Sequence, residues 1–156
     1  MGVFKIEGGH TLKGEITPQG AKNEALQVLC AVLLTDQKVT IHNIPDIQDV
    51  NKLISLLENL GVKIQKVGKG SYSFQADEVN IDYLKSESFH TEGQALRGSI
   101  MVVGPLLTRF GVGYIPKPGG DKIGRRRLDT HFDGFIKLGS HFAYAEKNYT
   151  YSVVAE

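Results

Sequence analysis

The chain repeats itself. Leu33-Leu34-Thr35 recurs as Leu106-Leu107-Thr108, and Val39 and Pro45 recur as Val112 and Pro118, all at an offset of 73 residues. Leu60-Gly61 recurs as Leu138-Gly139 at an offset of 78. A period of this length marks a supersecondary unit that buries its apolar face against a second copy of itself. The second copy has gained about five residues between Pro118 and Leu138. An insertion confined to one copy is where function is added to a repeated scaffold.

Each unit reads helix, strand, helix, hairpin. Alternation at Val3 to Glu7 predicts an opening strand, and Leu12 to Thr17 a second extended piece. Pro18-Gln19-Gly20 stops it. Ala21 to Leu34 reads as a strongly apolar helix with Cys30 packed inside it. Lys38 to Asn43 reads as a strand. Asp46 stands where it would cap a helix from Ile47 to Leu60, which Gly61 ends. Val62 to Val67 and Ser71 to Gln75 flank Gly68-Lys69-Gly70 as a hairpin. Ala76 to Thr91 is polar, with room for a short strand at Val79 to Ile81. Gly93 to Thr108 then reads as one helix, Gly111 to Pro116 as a strand, and Arg127 to Leu138 as a helix. A hairpin of His141 to Ala145 and Tyr149 to Val153 closes the second unit. The expected class is α+β. The two repeats span about 21–78 and 93–154, and residues 1–20 stand apart from them.

A length of 156 residues, 41% hydrophobic, permits one domain with a real core. The net charge of +1 gives no global field toward nucleic acid or membrane. The single cysteine excludes an internal disulfide. The opening residues lack a signal-peptide apolar run, and no stretch reaches membrane-spanning length, so a cytoplasmic protein is expected. His10, His42, His90 and His141 are scattered without ligand spacing, and no metal is expected.

The one strong charge cluster lies in the inserted stretch, Lys117-Pro118-Gly119-Gly120-Asp121-Lys122-Ile123-Gly124-Arg125-Arg126-Arg127, ahead of Leu128-Asp129-Thr130-His131. Glycines let backbone approach a ligand, arginines fork onto phosphate oxygens, and a helix start offers free N–H groups. The pattern suits an anion-handling loop with one acid, Asp121. The same residues also fit a Gly-rich turn followed by a solvated basic face.

Three pieces in order carry a resemblance. They are Leu12-Lys13-Gly14-Glu15-Ile16 with Gly20-Ala21-Lys22-Asn23, then Leu96-Arg97-Gly98-Ser99-Ile100 with Gly104-Pro105, then Pro118 to Arg126 with Asp129 and His131. From about Phe4 onward the chain resembles the N-terminal part of the UDP-N-acetylglucosamine 1-carboxyvinyltransferases, the enolpyruvyl transferases of peptidoglycan synthesis. The related shikimate-pathway enzymes typically have Lys-Ser where Lys22-Asn23 stands. The resemblance implies a fold of repeated βαβαββ units, six in the whole enzyme, in two domains around a cleft. It also implies transfer of the enolpyruvyl group of phosphoenolpyruvate to a sugar 3-hydroxyl, with no cofactor.

Carried over by position, Asp121 would protonate the methylene carbon of phosphoenolpyruvate. Lys22 would contact phosphoenolpyruvate, and Asn23 would reach the region shared with the sugar. Arg97 and Arg126 would be anion ligands, and Arg126, Arg127, Leu128, Asp129 and Thr130 would line the uridine diphosphate. The family usually has cysteine where Asp121 stands, so the epoxide antibiotic fosfomycin, which alkylates that thiolate, should not inactivate this chain by that route. Arg127 replaces a family proline. The family enzymes are 2.5 to 3 times longer, roughly, and a second domain supplies a carboxylate base. This chain is therefore expected to be inactive by itself, with residues 1–20 belonging to that second domain. A non-catalytic nucleotide-sugar or phosphate-binding module is the alternative. A nucleic-acid binder using Lys122 to Arg127 is disfavoured by the near-neutral charge.

Overall fold

The computed structural model describes residues 2–116, 127–145 and 150–156. Helix α1 (Lys22–Ala31) tightens into a 3₁₀ turn at Val32–Leu34. It is followed by β1 (Val39–Ile41), α2 (Gln48–Asn59), β2 (Lys63–Gly68) and β3 (Ser71–Gln75). A connector of a 3₁₀ turn (Ile81–Lys85), α3 (Glu87–Ala95) and a second 3₁₀ turn (Arg97–Val102) leads to α4 (Val103–Phe110). The second unit continues with β4 (Val112–Pro116), α5 (Asp129–Lys137), β5 (His141–Ala145) and β6 (Thr150–Val154).

Among the described residues, two antiparallel three-stranded sheets result, ordered β1-β3-β2 and β4-β6-β5. Val39 pairs with Phe74, and its repeat partner Val112 pairs with Val154. The mixture of helices and antiparallel sheets is an α+β architecture.

The first unit owns most of the core. Helix α2 places Val50, Leu53, Leu56 and Leu57 inward, and all are essentially inaccessible. Leu29, Leu33, Phe74, Leu84 and Phe89 close around them. The second core is small, centred on Val103, Leu107, Ile115 and Val153. Phe132 of α5 covers it through Phe142 and Tyr151, with ring centroids 5.1 and 5.2 Å away. The repeat-equivalent leucines diverge: Leu60 is fully buried and Leu138 is 84% exposed.

Four expectations are corrected. Residues 2–20 form neither helix nor strand, and Phe4, Ile6 and Leu12 are exposed, because no strand lies beside them to take their backbone hydrogen bonds. Asp46 does not cap α2; Ile47 holds that position, and the Asp46 carboxylate instead accepts a hydrogen bond from the Asn51 amide at 2.8 Å. No strand forms at Val79 to Ile81; a 3₁₀ turn capped by the Asn80 side chain begins there. The helix expected from Gly93 to Thr108 is broken at Leu96, whose backbone is extended. Ser99 fixes the break by donating its hydroxyl to the Gly93 carbonyl at 2.9 Å. The turn at Glu146-Lys147-Asn148 lies outside the described residues.

Cys30 packs as the sequence suggests. Its thiol donates to the Leu26 carbonyl at 3.1 Å, and burial pushes its pKa up to about 12. The thiol is protonated below that value, and the thiolate is the nucleophile. We expect an aromatic disulfide reagent at mildly alkaline pH to leave Cys30 untouched in the folded chain and to titrate it fully in guanidinium. Labelling of the native chain at the rate of a free thiol would contradict the burial.

Candidate functional site

The first turns of α1 and α2 and the connector before α4 frame a cleft of about 740 Å³. Lys22 and Asn23 open α1. Gln48, Asp49 and Lys52 come from the start of α2, and Arg97 and Gly98 come from the 3₁₀ turn. Packing is close at Gly98: a Cβ there would sit 3.3 Å from Leu26 Cδ1, so the turn carrying Arg97 lies against α1. The broken helix therefore has a consequence. A continuous helix from Gly93 would carry Arg97 on a regular helical face, whereas the 3₁₀ turn brings it to the rim shared with Lys22.

The cleft holds three cations, Lys22, Lys52 and Arg97, and one carboxylate, Asp49, among its described residues. Lys22 Nζ donates to Asp49 Oδ2 at 2.9 Å. Both side chains are about 40% exposed, at 43% and 38%, so the pair orients the ammonium while water still reaches it. An amide (Asn23), a guanidinium and two ammonium groups around one concavity suit a multiply charged anion. Lone basic side chains scattered over a surface would not share a wall in this way.

Lys22, Asn23 and Arg97, far apart in sequence, thus meet on one cleft. Arg127, Leu128, Asp129 and Thr130 do not line it; they form the entry to α5. There Arg127 pairs with Asp129, and Leu128 packs on the second core. Asp121 and Arg126 lie outside the described residues. Sequence reasoning missed Gln48, Asp49 and Lys52. Asp49 stands 27 residues from Lys22, a separation that carries no motif, and only the side-by-side packing of α1 and α2 joins them. Among the described residues, no three His, Cys, Asp or Glu side chains group as a metal site, and no helix is long and apolar enough to cross a membrane.

A family model described as EPSP synthase (3-phosphoshikimate 1-carboxyvinyltransferase) matches residues 6–156, nearly the whole chain. The chain belongs to this family. Curated relatives carry the name UDP-N-acetylglucosamine 1-carboxyvinyltransferase. One from Bacteroides fragilis is 56% identical over 156 residues, all of this chain and 36% of the relative. One from Porphyromonas gingivalis is 57% identical over 155 residues, 99% of this chain and 36% of the relative. A more distant one from Borreliella burgdorferi is 39% identical over 147 residues, 94% of this chain and 33% of the relative. The chain thus spans about a third of the length of the relatives it matches. Among solved structures, the enolpyruvyl transferase NikO from Streptomyces tendae superposes with a TM-score of 0.75. It covers 96% of this chain and 31% of that one at 19% identity, which establishes the shared fold.

Proposed function

We propose that this chain supplies the anion-holding part of a site that transfers the enolpyruvyl group of phosphoenolpyruvate to the 3-hydroxyl of UDP-N-acetylglucosamine, releasing phosphate. The observation that carries this reading is the convergence of Lys22, Asn23 and Arg97 on one cleft. Lys22 and Arg97 neutralise the charge of phosphoenolpyruvate, and Asn23 bridges it to the sugar. Asp121 delivers the proton to the methylene carbon as the sugar oxygen attacks the neighbouring carbon. Phosphate then leaves as the methyl group so formed gives a proton to a base, which restores the carbon–carbon double bond, and fixed positive charge stabilises the departing anion. Arg126 to Thr130 serve the uridine diphosphate. The sugar nucleotide is favoured over a shikimate acceptor by Asn23 after Lys22 and by the names of the relatives. Residues 1–20 and the base that deprotonates the hydroxyl belong with the remaining length seen in those relatives. The reaction is the first committed step of peptidoglycan synthesis, set in the cytoplasm.

The test is a chimera in which this chain replaces the matching third of the Bacteroides fragilis relative. Phosphate release that requires both substrates is expected. A folded chimera that binds both substrates without releasing phosphate would instead favour a non-catalytic binding module. A linked expectation concerns the acid. Asp121→Cys in the chimera should retain turnover and gain a covalent fosfomycin adduct by intact mass, whereas the aspartate form gains none. An adduct mapped to Asp121 itself would refute this assignment.

A further inference from the structure

A second cleft, of about 440 Å³, lies beyond the start of α2 from the first and shares no lining residue with it. Four segments build it: Thr17 to Gln19, the β1–α2 loop from Asn43 to Asp46, Asn51 of α2, and the β2–β3 hairpin with Lys66, Lys69 and Tyr72. We infer that this cleft is a binding site for a small phosphorylated anion, held chiefly by Lys66 and Lys69.

Its walls are preorganised. Ile44 N–H donates to the Gly70 carbonyl at 2.8 Å, tying the loop to the hairpin. Gly70 takes φ +62°, and a Cβ there would come within 3.0 Å of the Ile44 carbonyl oxygen. Gly20 presses on the other side, where a Cβ would fall 2.0 Å from the Asn43 carbonyl oxygen. Asn43 itself has φ +58°, a left-handed backbone that costs a non-glycine residue energy unless its surroundings impose it. Two close glycine approaches and the Ile44–Gly70 hydrogen bond pack this loop against its neighbours.

The charges point to the ligand class. On β2, Lys63 is neutralised by Asp77 and Glu78, at 2.9 and 3.3 Å. Lys66 and Lys69 have no carboxylate partner among the described residues. Lys66 Nζ stands 5.8 Å from the centre of the Tyr72 ring, and both residues line the cleft. The one carboxylate, Asp46, is engaged by Asn51. Two exposed ammonium groups without a carboxylate partner, against one engaged carboxylate, leave the described lining of the cleft net positive. The Thr17 hydroxyl and the Gln19 and Asn43 amides add uncharged donors. The volume of about 440 Å³ lies within the range of small-ligand pockets and leaves room for a phosphomonoester of few carbons. An occupant would also fix Thr17 to Gln19, just before Lys22 of the first cleft.

The test is an amide ¹H–¹⁵N NMR titration of this chain with inorganic phosphate and, separately, glycerol 3-phosphate. Saturable shifts are expected at Asn43, Gly70 and Tyr72, with millimolar dissociation constants. Lys66→Gln and Lys69→Gln should each weaken binding severalfold, and the double variant should abolish it while keeping native dispersion. Arg97→Ala should leave these shifts unchanged, which separates this site from the proposed active site. A tighter constant for the ester would identify an organic phosphate as the occupant, and equal constants a free phosphate. Shifts that do not saturate, persist in the double variant, or vanish in Arg97→Ala would each overturn the inference.

Discussion

Replacing Arg109 by alanine should cost this fold about 3 kcal/mol. Arg109 lies in the last turn of α4, and its Nη1 donates to the Leu33, Thr35 and Ala76 carbonyls at 3.2, 3.0 and 2.7 Å. All three acceptors belong to the first unit or its exit, so one guanidinium bridges the two repeats. The carbonyls terminate a 3₁₀ turn and a strand, and without the cation they lose a charge-assisted donor in a half-buried place. The three bonds share one nitrogen, so their energies do not add. The guanidinium also stacks on Phe110 at 4.9 Å, so part of the loss would be packing. Arg109→Met keeps the apolar stem and isolates the hydrogen-bonding share, and Arg109→Lys should recover less than half of it. For a chain of this size the alanine loss corresponds to a midpoint about 6–12 °C lower. Guanidinium unfolding followed by far-ultraviolet circular dichroism measures it. A loss under about 0.5 kcal/mol would mean that water replaces the guanidinium at all three carbonyls.

Much of the fold could be read because local signals agreed with packing. The apolar spacing from Ile47 to Leu60 predicts Val50, Leu53, Ile54, Leu57 and Leu60 inward; all but Ile54, which is half-buried against the core, are buried, and Leu56 joins them. Gly61 and Gly139 end their helices with φ of +94° and +91°, which glycine alone adopts without strain. The failures share a cause: a local pattern was compatible with more than one partner. Leu96, Ile100, Val103 and Leu107 suit one helical face, yet Leu96 enters the first core while Val103 and Leu107 enter the second. A straight helix cannot serve both. Pro105 gave the missed signal, since proline is tolerated in a first helical turn and marks Val103 as a fresh start. Ser86 gave another: its hydroxyl accepts from Phe89 N–H at 3.1 Å and caps α3 inside a stretch that read only as polar. The strands expected in residues 2–20 have strand-like alternation, but alternation supplies no hydrogen-bonding neighbour.

The candidate cleft was legible only in part. Lys22 and Asn23 follow the Pro18-Gln19-Gly20 stop, and Arg97 precedes a glycine, features visible in the chain. Their convergence depends on α1 packing beside both α2 and the 3₁₀ turn, which no spacing rule encodes. Asp49 shows the limit most clearly, because its role follows from a contact and from nothing in its neighbours.

Lys22 and Asp49 should therefore respond in opposite directions when each is altered in the chimeric enzyme. On the proposed reading, Lys22→Ala removes an ammonium that meets the anion, and it should lower kcat/KM for phosphoenolpyruvate about 10- to 100-fold, the range of one charge-assisted hydrogen bond. Asp49→Asn keeps an acceptor for Lys22 Nζ but deletes the one negative charge among the described residues lining the cleft. The exposed pair itself contributes less than about 1 kcal/mol, so its loss is small. Relief of repulsion toward an incoming anion is of similar size, about 1 kcal/mol at several ångström near a surface, and KM should fall by up to about fivefold. Asp49→Ala gives up the acceptor too, and Lys22 must then be ordered by the substrate, so the benefit should vanish. Steady-state kinetics on the three variants separates these terms. If Asp49→Asn proves as damaging as Lys22→Ala, the carboxylate acts by its charge rather than by its hold on Lys22. Asp49 would then belong among the groups that meet the substrate.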